Sequence, residues 1–333
     1  MHPTLKSHIL RTMRADALSI QEVIQTLWSG YGELVRVALE GGEVDTIILK
    51  HIVIPEEISH PRGWATSHSH QRKLRSYEVE RAWYRVWSEH CGPDCRIPRC
   101  YGEGTLEGDA FLLLEDLDTA GFPLRKNQPS HRDVESCLSW LASFHAAFMM
   151  CQPAGLWETG TYWQLDTRPD ELAAMEDKAL QQAAPLIDRR LKTSSFQTIV
   201  HGDAKVANFC FGEDGAVAAV DFQYVGGGCG MKDVAYFLGS CLDEEECAVL
   251  EEDLLSFYFV SLRAALARRK KDIDVDALEE EWRGLFAWAW ADFHRFLIGW
   301  MPGHWKVNAY SQHLTDRVLR ALSKEEPEGE LSK

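Results

Sequence analysis

The sequence predicts an α+β protein with a β-rich first lobe and a mostly helical second lobe. Residues 32–39 and 44–53 are strand-like segments joined by Glu-Gly-Gly-Glu, a linker of hairpin length. From residue 130 onwards apolar residues recur at helical spacing, and 197–220 interrupts this pattern. These observations place most strands early in the chain and most helices late.

The first lobe contains one predicted helix besides its strands. Residues 55–70 mix Pro, Gly, Ser and His without a period, which predicts a loop. Residues 71–89 then predict a helix with an apolar stripe formed by Leu74, Tyr77, Tyr84 and Trp87. Residues 98–109 are rich in glycine and turn formers, and the apolar run 110–114 predicts a buried strand.

The second lobe begins with a helix start signal, Ser130 followed by Asp133. Residues 197–200 and 216–220 are predicted short strands around the turn Gly-Glu-Asp-Gly. From Met231 to about Lys324 the pattern predicts helices with acidic and aromatic faces, followed by a polar tail.

Composition excludes several classes of protein. The 333 residues are 45% hydrophobic and 26% charged, which are ordinary globular values. The formal charge of −16 argues against a nucleic-acid binder or a binder of anionic membranes. Residues 1–114 hold 13 basic and 15 acidic side chains, and the remainder holds 22 and 36, so the acid lies in the second part.

Two sequence patterns bear on cellular location. No apolar run is long enough to span a membrane, and the N-terminus, with Lys6, Arg11 and Arg14, lacks a signal-peptide core. The nine cysteines are odd in number and irregularly spaced, as is typical of reduced thiols. We therefore expect a cytoplasmic protein.

One stretch carries the residues of phosphoryl-transfer chemistry. Residues 201–208 place Asp203 five positions before Asn208, and Asp221 follows 13 residues later. A carboxylate beside the attacking hydroxyl and a carboxamide oxygen on a metal need this spacing. Mg²⁺ prefers such hard oxygen ligands and keeps several waters. The stretch therefore predicts a Mg²⁺-assisted phosphoryl transfer.

The same stretch resembles the kinase-like small-molecule phosphotransferases, which include aminoglycoside phosphotransferases, choline kinases and ecdysteroid kinase-like proteins. Their motif H-G-D-x-x-x-x-N, followed by D-F or D-W, is matched by residues 201–208 and 221–223. Four further segments look like parts of these enzymes, most of all the ecdysteroid kinase-like group: Ile48–Lys50, Ser76–Glu80, Leu112–Leu117 and Leu141–Ala146. The resemblance covers roughly residues 25–240.

The resemblance implies a two-lobed protein-kinase-like fold with ATP and Mg²⁺ between the lobes. On this basis residues 1–114 form the nucleotide lobe, 115–119 the hinge and 120–326 the helical lobe, with a tail at 327–333. Adenine is expected against the strand that ends at Leu114, with hydrogen bonds to the backbone from Glu115 to Leu117.

The resemblance also implies the phosphate contacts. Lys50 is expected on the α- and β-phosphates, paired with a helix carboxylate. Glu80 lies within the apolar stripe and is favoured for this pair, whereas Glu78 lies between basic residues typical of a solvent face. Gly30 and Gly32 are expected to cover the phosphates, with a plain turn as the alternative.

The catalytic roles follow from the same resemblance. Asp203 is expected to position and deprotonate the acceptor hydroxyl, and Asn208 and Asp221 to hold Mg²⁺. Lys205 departs from the His or Trp of many small-molecule kinases and looks more like the lysine of protein kinases, which neutralises the transferred phosphoryl group. However, only the nine residues 224–232 separate Gln223 from Asp233, so a protein kinase activation segment does not fit.

The acceptor and two rival functions stay open at the level of sequence. Acidic clusters at 243–246 and 251–253 form either a solvated helix face or a funnel for a cationic acceptor, helped by tryptophans 288, 290, 300 and 305. A choline-like, aminoglycoside-like or steroid-like alcohol is expected. The rivals are an ATP-binding pseudokinase and, with less support, a protein kinase.

Overall fold

A computed structural model describes residues 1–27, 30–54 and 67–325. The chain divides into two compact units. The first unit comprises residues 1–126 and 207–223, and the second comprises 127–206 and 224–333. The first is built around a sheet and the second is mainly helical, which confirms the predicted α+β arrangement. The lobe boundaries expected from the resemblance stay predictions.

The first unit contains a five-stranded antiparallel sheet in the order β1-β2-β3-β5-β4. Its strands are β1 (Ala17–Thr26), β2 (Gly32–Glu40), β3 (Thr46–Ile52), β4 (Cys100–Leu106) and β5 (Asp109–Glu115). The predicted hairpin is β2 and β3, and the predicted buried strand is β5. Strands β1 and β4 are not predicted from the sequence pattern.

Both missed strands lie at the edges of this sheet. Most of β1 is exposed, so it lacks the alternation of a half-buried strand. The segment 98–109, interpreted as turn-rich, contains β4 and its two glycines, Gly102 and Gly104. A Cβ at Gly104 would lie 3.0 Å from the Phe111 ring, so a glycine here allows close packing and does not end the strand.

One face of the sheet is covered by a helix that the sequence reading also missed. Helix α1 (Pro3–Met13) buries Leu5, Ile9 and Met13 against the sheet core around Val35 and Phe111. This apolar spacing of four places all three side chains on one face. Burial of that face stabilises a short helix whose local signals are weak.

Helix α2 (Ser67–Ala82) continues into a π-helical turn, Trp83–Trp87. This segment corresponds to the predicted helix 71–89. The π turn widens the helix where Trp83 is fully buried and stacks on Phe222, with ring centroids 4.7 Å apart.

Residues 207–223 add a small hairpin to the first unit. Strands β7 (Phe209–Phe211) and β8 (Val217–Ala219) pair across the Gly-Glu-Asp-Gly turn. The predicted short strands 197–200 and 216–220 are both present, but they do not pair with each other. Residues Thr198–Val200 form β6, which pairs in the second unit with β9 (Gly226–Gly228).

The second unit consists mainly of helices, as predicted. They are α3 (His131–Ala147), α4 (Pro169–Ala174), α5 (Lys178–Lys192), α6 (Met231–Cys241), α7 (Glu244–Arg268), α8 (Val275–Trp300) and α9 (Ala309–Glu325). Ser130 and Asp133 form a capping box at α3, and Asp243 and Glu246 form another at α7. An aromatic cluster around Trp163, Tyr236 and Phe293 fills part of the core.

Within the described residues, no helix is long and apolar enough to cross a membrane. Each of the nine cysteines is a free thiol. Most of the predicted loop 55–70 and the predicted tail 327–333 lie outside the described residues.

Candidate active site

A buried lysine and two carboxylates form the centre of the candidate site in the first unit. Lys50 on β3 lies 2.6 and 2.8 Å from the two carboxylate oxygens of Glu80 on α2, and 3.4 Å from an oxygen of Asp221. Lys50 and Glu80 are 6% and 1% exposed. Burial alone lowers the pKa of Lys50, but the two carboxylates raise it above its ordinary value. The ammonium is therefore charged at neutral pH.

The structure places Glu80 and not Glu78 against Lys50. Glu78 lies on the opposite side of the helix, where its side chain is 64% exposed and pairs with Arg75 at 3.2 Å. A lysine that touches two acids keeps a positive charge in a buried place, where an unpaired ion would cost several kcal/mol, of order 3–5.

Residues 222 and 223 fasten α2 in this position. Phe222 stacks on Trp83 at the end of α2, and the Gln223 carboxamide oxygen accepts hydrogen bonds from Lys73 Nζ at 2.7 Å and Ser76 Oγ at 3.3 Å. Because Glu80 lies on the same helix, these contacts hold its carboxylate against Lys50.

The hairpin of β7 and β8 brings the two predicted metal ligands to adjacent strand ends. The carbonyl of Asn208 accepts the N–H of Val220 at 2.9 Å, and Val220 directly precedes Asp221. Asp221 adopts φ 69°, a left-handed conformation that a non-glycine residue seldom takes. Backbone strain of about 1–3 kcal/mol accompanies such a residue and concentrates at functional sites.

These residues fit a magnesium ion in their chemistry. Asp221 and Asn208 offer carboxylate and carboxamide oxygens, the hard donors that Mg²⁺ prefers. The side chain of Asp221 is 36% exposed beside its contact with Lys50, which leaves it accessible. The described residues contain no group of three His, Cys, Asp or Glu side chains that could hold a metal by themselves. A site of two protein oxygens completed by water and phosphate suits this donor set.

Gly30 lies between β1 and β2, and Gly32 is the first residue of β2. Both have positive φ, 77° and 110°. A Cβ on Gly32 would lie 2.0 Å from the His51 carbonyl oxygen, so only glycine fits there. Gly30 is exposed and open on its Cβ side. Trp28 and Ser29 of the same predicted loop lie outside the described residues.

The predicted hinge follows β5. Leu114 and Glu115 end the strand, the Glu115 N–H donates to the Arg99 carbonyl at 2.8 Å, and the Leu117 carbonyl accepts from Phe122 N–H at 2.8 Å. These two backbone groups are satisfied within the protein. The adenine contact expected at residues 115–117 stays a prediction.

Asp203 and Lys205, the residues predicted to be catalytic, belong to the second unit. Asp203 is 5% exposed, and its two carboxylate oxygens accept from the Tyr236 hydroxyl at 3.1 Å and from Lys205 Nζ at 3.0 Å. Tyr236 lies on α6, and burial raises the pKa of its hydroxyl well above the ordinary value, so it stays a hydrogen-bond donor. The Asp203 side chain is thus held by two donors.

A buried carboxylate that the sequence reading missed anchors this loop. Asp233 in the first turn of α6 accepts the N–H of His201 at 2.6 Å and of Gly202 at 2.9 Å. It also contacts His145 Nε2 at 3.1 Å. Gly202 has φ 80°, and a Cβ there would lie 2.0 Å from the Tyr224 carbonyl oxygen. The loop backbone ahead of Asp203 is therefore defined by one acid and one glycine.

Comparison with known proteins decides the family. Residues 23–270, more than half of the chain, match the phosphotransferase enzyme family, APH. The chain belongs to this family. The match confirms the predicted enzyme class, a phosphotransferase. The sheet-based first unit and the helical second unit agree with the predicted fold class. No curated protein sequence matches the phosphotransferase significantly.

Solved structures that are similar to the phosphotransferase share few identical residues with it. A choline kinase from Streptococcus pneumoniae is 11% identical over 96% of this chain and 98% of its own, with a TM-score of 0.46. A macrolide 2'-phosphotransferase from Brachybacterium faecium is 14% identical over 99% and 100%, with a TM-score of 0.48. A thermostable mutant of aminoglycoside phosphotransferase APH(4)-Ia, solved with ADP and hygromycin B, is 12% identical over 96% and 98%, with a TM-score of 0.49.

The acidic clusters of the phosphotransferase have local partners. Asp243 and Glu246 cap α7, Glu251 accepts from the Tyr310 hydroxyl at 2.6 Å, and Glu252 pairs with Arg283 at 2.9 Å. These contacts are those of a helix start and a solvated helix face.

The four tryptophans that could have held a cationic acceptor are also accounted for. Trp288 and Trp290 are buried, and Trp300 stacks on Phe296 with centroids 5.6 Å apart. Trp305 is 57% exposed, and the ammonium of Lys306 lies over its ring, 5.5 Å from the ring centroid. The exposed ring therefore already holds a cation of the chain itself.

Proposed function

We propose that this phosphotransferase moves the γ-phosphoryl group of ATP to a hydroxyl of a small molecule in a Mg²⁺-dependent reaction. The observation that carries the proposal is the buried Lys50 held between Glu80 and Asp221. A lysine in this arrangement presents a fixed positive charge to phosphate oxygens, which is the main requirement of phosphoryl transfer.

The first unit supplies the groups for the nucleotide. Lys50 binds the α- and β-phosphates, and Glu80 sets the direction of its ammonium. Asn208 and Asp221 supply the protein oxygens for Mg²⁺, which when bound neutralises charge on the β- and γ-phosphates. Gly30, which is open on its Cβ side, and Gly32 at the start of β2 are the proposed backbone contacts of the phosphates. Backbone groups from Glu115 to Leu117 are the proposed contact for adenine.

The second unit supplies the groups for the acceptor. Asp203 accepts the proton of the acceptor hydroxyl while the acceptor oxygen bonds to the γ-phosphorus and the bond from that phosphorus to the β-phosphate oxygen breaks, which releases ADP. The Tyr236 hydroxyl orients the Asp203 carboxylate, and Lys205 stabilises charge on the transferred group. General-base help of this kind contributes about 10²- to 10⁴-fold in rate.

Two variants separate binding from chemistry. Asp203→Asn keeps Mg-ATP binding and loses turnover by about 10²-fold or more, because the carboxamide cannot take the proton. Asp221→Asn weakens Mg²⁺-dependent nucleotide binding, because it removes a charged metal ligand. Asp253→Asn, an exposed acid on α7, serves as the matched control. Binding is measured by calorimetry with Mg-ATP, and turnover by ADP release across a panel of alcohols that includes choline, aminoglycosides and steroids.

The same experiment tests the rival functions. A protein that binds Mg-ATP and phosphorylates no alcohol of the panel is a nucleotide-binding regulator, and labelling of lysate proteins by radioactive ATP indicates a protein kinase. Wild-type turnover of any acceptor by Asp203→Asn contradicts the proposed mechanism.

A further inference from the structure

Lys306, in the segment between α8 and α9, lies against the aromatic cluster of the second unit. Its Nζ atom is 4.9 Å from the ring centroid of Tyr236 and 5.5 Å from those of Phe293 and Trp305. Lys306 is half-buried, and its ammonium is attracted to the electron-rich ring faces. The three rings therefore form a platform that is already occupied by a cation of the chain.

Two other buried cations that the structure describes in this unit form an ion pair with a carboxylate, whereas Lys306 does not. Arg168 also lies over aromatic rings, but it pairs with Glu171 at 2.8 Å, and Lys232 pairs with Asp292 at 3.4 Å. Among residues 1–27, 30–54 and 67–325, Lys306 Nζ has neither a carboxylate partner nor a hydrogen bond. Asp203 acts on the Lys306 charge from nearby, but no hydrogen bond or ion pair with a described residue uses the three N–H donors of this ammonium. These donors can therefore bind an anion.

The position of this charge relates it to the acceptor. Tyr236, whose ring carries Lys306, donates its hydroxyl to one oxygen of Asp203, and Lys205 pairs with the other oxygen. The negative charge of Asp203 is thus met by Lys205 and Tyr236. Lys306 adds a further positive charge beside the residue that is proposed to receive the acceptor proton.

We propose that the acceptor alcohol also carries an anionic group, a carboxylate or a phosphate, and that Lys306 binds that group. This inference rests on the proposed function and narrows its substrate class. A quaternary or primary ammonium alcohol meets two lysines near Asp203, and the ring faces that would bind it carry Lys306 already. The inference therefore departs from the choline-like or aminoglycoside-like acceptor expected from the sequence.

The pH dependence of KM gives a second, independent test of the role of Lys306. Burial lowers the pKa of Lys306 to about 8, with Asp203, Cys241 and Cys247 acting in the opposite direction and Lys205 in the same direction. Lys306 therefore loses its charge as pH rises through about 8. The KM for an anionic acceptor rises over that range, while the KM for a neutral alcohol of the same shape does not follow it.

The test compares alcohols that differ only in charge. In the first set, gluconate and sorbitol phosphate are anionic, sorbitol is neutral and glucamine is cationic. In the second set, para-hydroxymethylbenzoate is anionic, para-benzenedimethanol is neutral and para-aminomethylbenzyl alcohol is cationic. Phosphorylation is followed by ADP release and product mass. We expect kcat/KM to be about tenfold or more higher for the anionic members than for their neutral and cationic partners, since a hydrogen bond to a charged group contributes about that factor. The phosphate and carboxylate members of the first set distinguish the two anions.

Variants of Lys306 connect the preference to this residue. Lys306→Met keeps an apolar side chain over the rings and lowers the anionic-to-neutral ratio of kcat/KM by about 10- to 100-fold, and Lys306→Arg keeps most of the ratio. Lys324→Met, at an exposed lysine on α9, leaves the ratio unchanged.

Three outcomes overturn the inference. They are a preference for the neutral or cationic members, an anionic preference that survives in Lys306→Met, and phosphorylation confined to uncharged or cationic alcohols of the broader panel. Failure to phosphorylate any alcohol, with Mg-ATP binding intact, overturns the proposed function itself and this inference with it.

Discussion

Asp233 is the side chain whose replacement tests the loop architecture most directly. Its Oδ2 atom accepts from His201 N–H at 2.6 Å and contacts His145 Nε2 at 3.1 Å, and its Oδ1 atom accepts from Gly202 N–H at 2.9 Å. The residue is fully buried. In Asp233→Asn the shape is kept, but one of the two oxygens becomes an NH₂ group that faces a donor.

The cost can be worked from these contacts. One buried N–H of the loop loses its acceptor, which costs about 1–3 kcal/mol. The remaining hydrogen bonds change from charge-assisted to neutral, and each loses about 1 kcal/mol. We therefore expect Asp233→Asn to lower the free energy of unfolding by about 3–5 kcal/mol. It also lowers kcat by more than tenfold, because Asp203 lies directly after the two anchored residues.

The assay is urea unfolding followed by circular dichroism, with kcat measured on the acceptor found by the panel. Asp253→Asn is the matched control, since this acid is exposed and its loss is expected to change stability by less than about 0.5 kcal/mol. A change below about 1 kcal/mol for Asp233→Asn, together with wild-type kcat, would refute the view that this carboxylate holds the loop.

Three further predictions concern other parts of the protein. Gly202→Ala is expected to lower the free energy of unfolding by about 2–3 kcal/mol and to remove most of the activity, because a Cβ at φ 80° would collide with the Tyr224 carbonyl. Denaturant midpoints and kcat measure the two effects. Lys50→Met is expected to abolish turnover and to lower stability by about 3–5 kcal/mol, because Glu80 is left as a buried unpaired charge. The double variant Lys50→Met/Glu80→Gln recovers most stability and no activity, and recovery of activity would contradict the phosphate role of Lys50. Burial lowers the pKa of His294 below its ordinary value of 6.5. The neutral imidazole therefore contributes its full stabilisation above pH 6.5, and this stabilisation declines as pH falls below that value. In His294→Gln, the urea midpoint should depend less on pH between roughly pH 5 and 7 than it does in the wild type.

The parts of the fold that could be predicted from sequence are those whose signals are local. The capping residues Ser130 and Asp133 mark the start of α3 because both partners lie within one turn of the chain. The hairpin of β2 and β3 is visible because a short glycine linker separates two apolar segments.

The two missed strands, and the partner of the short strand β6, depend on residues that are distant in the chain. β1 is an edge strand whose exposed residues gain their conformation by pairing with β2, and β4 tolerates glycines because the Phe111 ring packs against one of them. Strand β6 pairs with β9, although β8 is also a nearby short strand, and the sequence pattern cannot distinguish these partners.

The sequence by itself determined the kinds and spacing of the phosphotransferase residues, because Asp203, Asn208 and Asp221 stand within one continuous stretch. Only the tertiary structure decided which acid contacts Lys50, which acid anchors the loop before Asp203 and which aromatic rings Lys306 contacts. Glu80, Asp233 and Lys306 acquire these properties through burial and through partners far away in the chain. Burial determines the desolvation cost of a charge, and the distance to its partner determines how much of that cost is offset. Neither the burial nor the distance can be read from the spacing of residues in the sequence.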